Sequence, residues 1–158
     1  MVKFSLFLNG LCFLYLFWLM KKTNGYQPNT AFAMTICITS VIGFIFATNL
    51  QLFMVEVKYS LVIVVVASSL IGVSFGFIHS RSGGIIGYYH GFTAGLMGAM
   101  LSLVIYNPSI CYLPVSYADS VEQHAALFSL FSCILSFATI FIVQLVNWKI
   151  DKGVNDIE

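Results

Sequence analysis

Charge is scarce in this chain of 158 residues. Only 8% of its residues are charged, and 59% are hydrophobic. A soluble domain carries about 25% charged residues, so this chain does not have enough polar residues to cover a soluble globular surface. The net charge of +1 is too small to attract a polyanion, so we expect no nucleic-acid partner. The composition predicts an integral membrane protein whose surroundings are the lipid bilayer.

Proline and acidic residues are missing from the long apolar stretches. All three prolines lie in connections, and every Asp and Glu lies in a connection or near the C-terminus. Most of the stretches are near the ~20 residues that a transmembrane helix requires, so the pattern predicts five largely unbroken spans. The predicted helices cover residues 4–20, 30–55, 60–79, 85–106 and 125–146. The expected fold is one all-α domain over residues 1–158, a polytopic helical bundle with a long loop at 107–124 and a polar tail at 147–158.

The residue combinations that enzymes need are absent as well. Hydrolysis or group transfer requires a nucleophile beside a base, or carboxylates clustered around a metal, and no carboxylate lies in a predicted span. The cysteines do not supply a catalytic or metal site either, because no two of the four form the Cys-x-x-Cys pair of a redox or zinc motif. We therefore expect no enzymatic activity and no resident cofactor.

Basic residues are few, and their uneven distribution predicts an orientation. With five spans, one side of the membrane holds Lys3 and Lys58 and the other side holds five basic residues. Those five are Lys21, Lys22, Arg81, Lys149 and Lys152. The side richer in Lys and Arg is normally cytoplasmic, so the N-terminus and the loop 107–124 are predicted outside and the C-terminal tail in the cytoplasm. Trp18 and Trp148 lie beside the basic side, where indole rings favour the interface.

Large side chains are scarce along one face of the fourth predicted helix. Gly or Ala recurs there at every fourth residue, and the third helix carries a second small-residue surface. Small residues let membrane helices approach closely, so we predict a packing seam of the glycine-zipper type between these two antiparallel helices. The predicted seam residues are Gly72, Gly76, Gly83, Gly87, Gly91, Gly95, Gly98 and Ala99. Glycines that this pairing does not use would remain for a second copy or another subunit.

Polar side chains inside the spans are candidates for a membrane pathway. Asn49 and Gln51 point in different directions from the second helix, so at least one is predicted to hydrogen-bond to a neighbouring helix. His90 is the ionisable side chain that lies well inside a predicted span, where such groups usually face the bundle interior. Two interpretations stay open, helix packing and a polar route. The predicted pathway residues are Thr48, Asn49, Gln51 and His90.

His90 also shares a helical side with two methionines. Imidazole and thioether groups suit Cu(I), and imidazole is a common haem ligand. One hypothesis is therefore a copper or haem site built from His90, Met97 and Met100, with His79 as a further ligand. The competing interpretation is a hydrogen-bonded histidine beside methionines that fill packing gaps.

The segment GYYHGFTAGLMGAML at residues 87–101 resembles the glycine- and methionine-rich helix of a group of small polytopic membrane proteins of Gram-positive bacteria. The order of the preceding segments is similar too, with a threonine-rich helix at 30–54 and a small-residue helix at 60–79. The resemblance covers residues 20–105. It implies a multi-pass protein of the bacterial plasma membrane and implies no particular activity.

These observations favour a non-catalytic membrane protein over an enzyme. The predicted role is an assembly or accessory subunit of a homo- or hetero-oligomeric membrane complex, whose partners are copies of itself or other membrane subunits. A small transporter or channel is the first alternative. A copper- or haem-handling membrane protein is the second.

Overall fold

Five α-helices form from the apolar stretches in the computed structural model. The structure describes residues 2–22, 28–54, 57, 59–78, 81–107 and 121–155. The helices are α1 (Val2–Lys22), α2 (Pro28–Phe53), α3 (Ser60–Phe77), α4 (Arg81–Tyr106) and α5 (Val121–Asn155). Each helix is long and apolar enough to cross a membrane, and the described residues contain no strand. The all-α class and the five membrane-sized helices are thus confirmed, and the orientation of the termini stays a prediction.

Several helix ends differ from the expected bounds. α2 begins at Pro28, because proline at the first helical position lacks only an N–H group that would have no helical partner. α4 begins at Arg81, so Gly83 and Gly84 belong to the helix and not to the preceding turn. α5 continues to Asn155, since a helix bonds its own backbone and can extend beyond an apolar layer. The first part of the predicted polar tail is therefore helical, while residues 108–120 of the predicted loop lie outside the described residues.

Helices α2, α3 and α4 form the most closely packed part of the bundle. α3 and α4 are antiparallel, with Gly76 against Gly83 at one end and Gly72 against Gly87 further along. α2 covers another side of α4, where Gly98 lies against the Phe44 carbonyl. The apolar contacts in this region are completed by a buried cluster. Its members are Ala47, Val64, Val65 and Ala99.

Helices α1 and α5 run parallel to each other and pack against α2. The parallel direction follows from hydrogen bonds between the two helices, since Ser5 contacts Ser129 and Asn9 contacts Ser136. A second apolar cluster joins this pair to the rest of the bundle. Its buried members are Leu16, Met20, Met34, Ile38, Ile42, Phe75 and Val143. The bundle therefore consists of a glycine-rich unit, α2 to α4, with a helix pair on one side.

Candidate functional site

All eight predicted seam residues are buried within this single chain. A Cβ atom added at Gly72 would overlap the Gly87 carbonyl oxygen, and one at Gly91 would lie 2.7 Å from the Ser68 carbonyl oxygen. Contacts this close require residues without side chains. On the α2 side, a Cβ at Gly98 would lie 2.6 Å from the Phe44 carbonyl oxygen. The eight seam residues are all buried in contacts among α2, α3 and α4 of one chain, so they leave no glycine surface for a second copy.

The four predicted pathway residues do not line a common route. Thr48 faces α4, where its carbonyl accepts a hydrogen bond from Ser102. Asn49 faces α1 and α5. Gln51 faces the start of α3, where its Nε2 donates to Ser60 Oγ over 2.9 Å. His90 lies on a separate surface described below, so the structure separates these side chains among different helix contacts.

A polar cluster lies between α1, α2 and α5. It comprises Ser5, Asn9, Asn49, Ser129, Ser132, Cys133 and Ser136. Asn49 is 2% exposed, accepts from Ser5 Oγ over 3.1 Å and donates to Ser132 Oγ over 3.0 Å. Asn9 donates to the hydroxyls of Ser5 and Ser132 and accepts from Ser136 Oγ over 2.6 Å. Such side-chain bonds between apolar helices stabilise their association by ~0.6–2 kcal/mol each.

The polar cluster contains residues that the pathway prediction missed. Asn49 is the member it included, whereas the Asn and Ser side chains of α1 and α5 were not singled out. A signal was present in α5, because Ser129, Ser132 and Ser136 recur at spacings of three and four residues and so share one helical face. Ser5 and Asn9 show the same four-residue spacing in α1. The sequence alone does not show that these two polar faces meet at Asn49, which becomes apparent only in the folded structure.

A second polar feature, the His90 surface, lies on the outside of α2 and α4. We define it as Tyr89, His90, Thr93, Met97 and Met100 of α4 with Cys37 and Ser40 of α2. His90 is half-buried, and its Nδ1 lies 3.3 Å from Ser40 Oγ. Tyr89, Met97 and Met100 are 63%, 66% and 52% exposed, and Cys37 is exposed as well. The His90 surface is therefore an outward-facing strip that contains a histidine and two exposed methionines.

The structure places three of the four proposed metal ligands at different levels of one helix. His90, Met97 and Met100 all belong to the continuous helix α4, where the rise is ~1.5 Å per residue, so Met97 lies about 10 Å along the axis from His90. In the part of the chain that the structure describes, no group of three His, Cys, Asp or Glu residues is arranged to hold a metal. His79 lies outside the described residues.

Comparison with protein-family models, with curated proteins and with solved structures finds no match to this chain. The resemblance to small membrane proteins of Gram-positive bacteria therefore stays a prediction. The described residues thus hold two polar features, one inside the bundle and one on its surface.

Proposed function

We propose that this protein is a non-catalytic subunit of a homo- or hetero-oligomeric membrane complex, and that it joins its partner through the His90 surface. In this proposal the five helices span a cell membrane, most simply the bacterial plasma membrane that the sequence resemblance implies. The observation that carries the proposal is the His90–Ser40 hydrogen bond on the outside of the bundle. The seam and the polar cluster contribute to the proposal only by holding the subunit itself together.

The depth of the His90–Ser40 pair is the first argument for a partner. Ser40 lies halfway along α2 (Pro28–Phe53), and His90 lies nine residues after the start of α4 at Arg81. Both side chains are therefore far from the ends of helices that cross the bilayer. Ionisable side chains at such depths usually face the protein interior, because exposure to hydrocarbon is costly. A partner helix over the His90 surface would remove this exposure.

The chemistry of the His90 surface is the second argument. The imidazole and the hydroxyls of Ser40 and Tyr89 offer donors and acceptors to a second helix, and interhelical hydrogen bonds contribute to helix association in bilayers. Met97 and Met100 add unbranched, polarizable side chains, which adapt to the shape of a partner. This combination of polar groups and adaptable apolar side chains fits a helix–helix interface.

The two alternative functions have less geometric support. A polar transport route needs side chains that converge, and Thr48, Gln51 and His90 face different neighbours. A copper or haem site within one chain needs His90 and the methionines around one point, whereas Met97 and Met100 follow His90 by about two and three turns of α4. Both alternatives remain predictions that ion flux or bound metal would support.

Site-specific photo-crosslinking in the native membrane tests the proposal. A benzophenone amino acid at Met97 would probe the His90 surface, and one at Val62 of α3 is the matched control, since these residues are 66% and 58% exposed. We expect a defined protein adduct at Met97, identified by mass spectrometry as a second copy or as another chain, and lipid adducts at Val62. Lipid adducts at both positions would contradict the proposal.

A further inference from the structure

A cavity of about 180 Å³ lies between α1, α2 and α5, next to the polar cluster. On α1 it is lined by Leu6, Gly10 and Phe13, which share one helical face, and on α2 by Val41 and Ile45 among others. Along α2 it extends from the middle of the helix as far as Asn49, a rise of ~12 Å. The space is therefore elongated and parallel to the helices.

The four Asn, Ser and Thr side chains in the cavity wall already use their donors within the protein. Both Asn49 amide hydrogens are used, towards the Ile45 carbonyl and Ser132 Oγ. Asn9 Nδ2 likewise has acceptors in Ser5 and Ser132. The Ser136 and Thr139 hydroxyls donate to Asn9 Oδ1 and to the carbonyl of Leu135, respectively. An occupant would meet an apolar wall and four polar groups already bonded to the protein, which favours hydrocarbon over a polar headgroup.

Gly10 marks where the cavity reaches the outside of the bundle. This residue lines the cavity and is also exposed. A Cβ atom added there would meet no atom within 4 Å, in contrast to the seam glycines, which are packed against backbone. The missing side chain at Gly10 thus leaves an opening on α1 rather than a close helix contact.

We propose that this cavity binds a hydrocarbon chain that enters from the bilayer beside Gly10. The inference rests on the membrane-spanning arrangement proposed above and does not use the His90 surface. An apolar cavity of ~150 Å³ in another protein stays dry and binds benzene or xenon, so a cavity of 180 Å³ accommodates part of a chain. A phospholipid acyl chain and a free fatty acid share this chemistry.

Photolabelling of the purified protein in phosphatidylcholine vesicles tests the inference. One sample carries a diazirine on the acyl chain of phosphatidylcholine, and another carries it on a free fatty acid. We expect adducts on Leu6 and Val41 in excess over Leu130, an α5 residue that is 60% exposed and reports ordinary lipid contact. The probe that produces the excess identifies the source of the chain. Equal labelling of cavity and surface by both probes would overturn the inference.

Two substitutions at Gly10 separate cavity binding from surface contact. Gly10→Leu places a side chain at the opening and is expected to reduce labelling of Val41 to the level of Leu130. Gly10→Ala is the matched control and should retain the labelling, because its Cβ lies in open space. Should Gly10→Leu fail to fold, Val41→Phe fills the cavity from α2. Undiminished labelling of Leu6 in a folded, filled variant would refute the site, and it would leave the crosslinking test at Met97 unaffected.

Discussion

His90 and Asn49 are both polar residues in long apolar helices, and the structure gives them opposite surroundings. Asn49 is enclosed by hydrogen bonds from α1 and α5, whereas His90 bonds to Ser40 on an outward-facing strip. The sequence shows that both residues are polar and lie within long apolar stretches. It also predicts that Asn49 or Gln51 bonds to another helix. The sequence does not reveal whether the side of α4 that carries His90 is covered, because that depends on where α2 packs.

Replacement of His90 by leucine is expected to weaken association with the partner. An interhelical hydrogen bond in a bilayer contributes ~0.6–2 kcal/mol, which corresponds to about a 3- to 30-fold change in the association constant. The measurement is the fraction of chain recovered in the protein adduct from Met97, across a series of expression levels. His90→Gln retains hydrogen-bonding groups and is expected to lose less. Equal adduct yield for wild type and His90→Leu would count against the His90 surface as the interface.

Replacement of Asn49 by alanine is expected to destabilise the packing of α1 and α5 on α2. The variant loses the bonds to Ser5 and Ser132, so we expect a loss of about 1–3 kcal/mol in the free energy of unfolding, measured in detergent micelles. Ser74→Ala is the control, since that exposed hydroxyl bonds to the Leu70 carbonyl of its own helix. Similar stability of the two variants would show that the polar cluster contributes little.

At the scale of helices, the small-residue face of α4 is the feature that sequence reasoning predicted best. Its four-residue glycine spacing and the short connection after α3 are local patterns, so the antiparallel pairing follows from them. The use of Gly98 against α2 was not predicted, because it depends on the position of Phe44 in a helix from another part of the chain. The start of α4 was predicted too late in the chain, so that Gly83 was placed before the helix. Glycine disfavours helix in water, and the close packing of Gly83 overrides that preference here.

A double-mutant cycle distinguishes side-chain from backbone crowding in the seam. A Cβ at Gly95 would overlap the Ser68 side chain, whereas a Cβ at Gly72 would overlap the Gly87 backbone. Gly95→Ala is expected to cost about 1–3 kcal/mol of unfolding free energy, and Ser68→Gly in the same chain should recover part of it. For Gly72→Ala, the Ser68→Gly change should recover nothing. Unfolding measured in micelles gives both cycles, and equal recovery would contradict the assigned contacts.

At the scale of the molecule, the bundle combines local and long-range pairings. α3 and α4 are neighbours in sequence, whereas the α1–α5 pair joins residues more than 100 positions apart, as in the bond from Asn9 to Ser132. Sequence pattern predicts the first kind of pairing, because a short turn leaves few arrangements. It does not predict the second, for which several helix orders satisfy the same hydropathy pattern.

Because α1 and α5 are parallel, the uneven distribution of their basic residues predicts how the bundle is oriented in the membrane. Lys21 and Lys22 end α1, and Lys149 lies near the matching end of α5, beyond the contact between Tyr15 and Gln144. Lys22 Nζ also lies 5.3 Å from the centre of the Trp18 ring, an arrangement suited to a membrane interface. Lys21, Lys22 and Lys149 therefore belong to one end of the bundle, which we predict to be cytoplasmic, while Lys3 lies at the opposite end of α1.

Accessibility of single cysteines checks this orientation. In a chain whose four native cysteines are replaced, Lys149→Cys should react with a membrane-impermeant maleimide in inside-out vesicles and not in intact cells. Asn107→Cys, just beyond the end of α4, should show the opposite pattern, because α4 starts with Arg81 at the basic end. Reversed labelling of both positions would mean that the bundle has the predicted architecture but the opposite orientation. Labelling of both from the same side would contradict α4 and α5 as membrane-crossing helices in this arrangement, since a bundle that crosses the bilayer must expose the two positions on opposite faces.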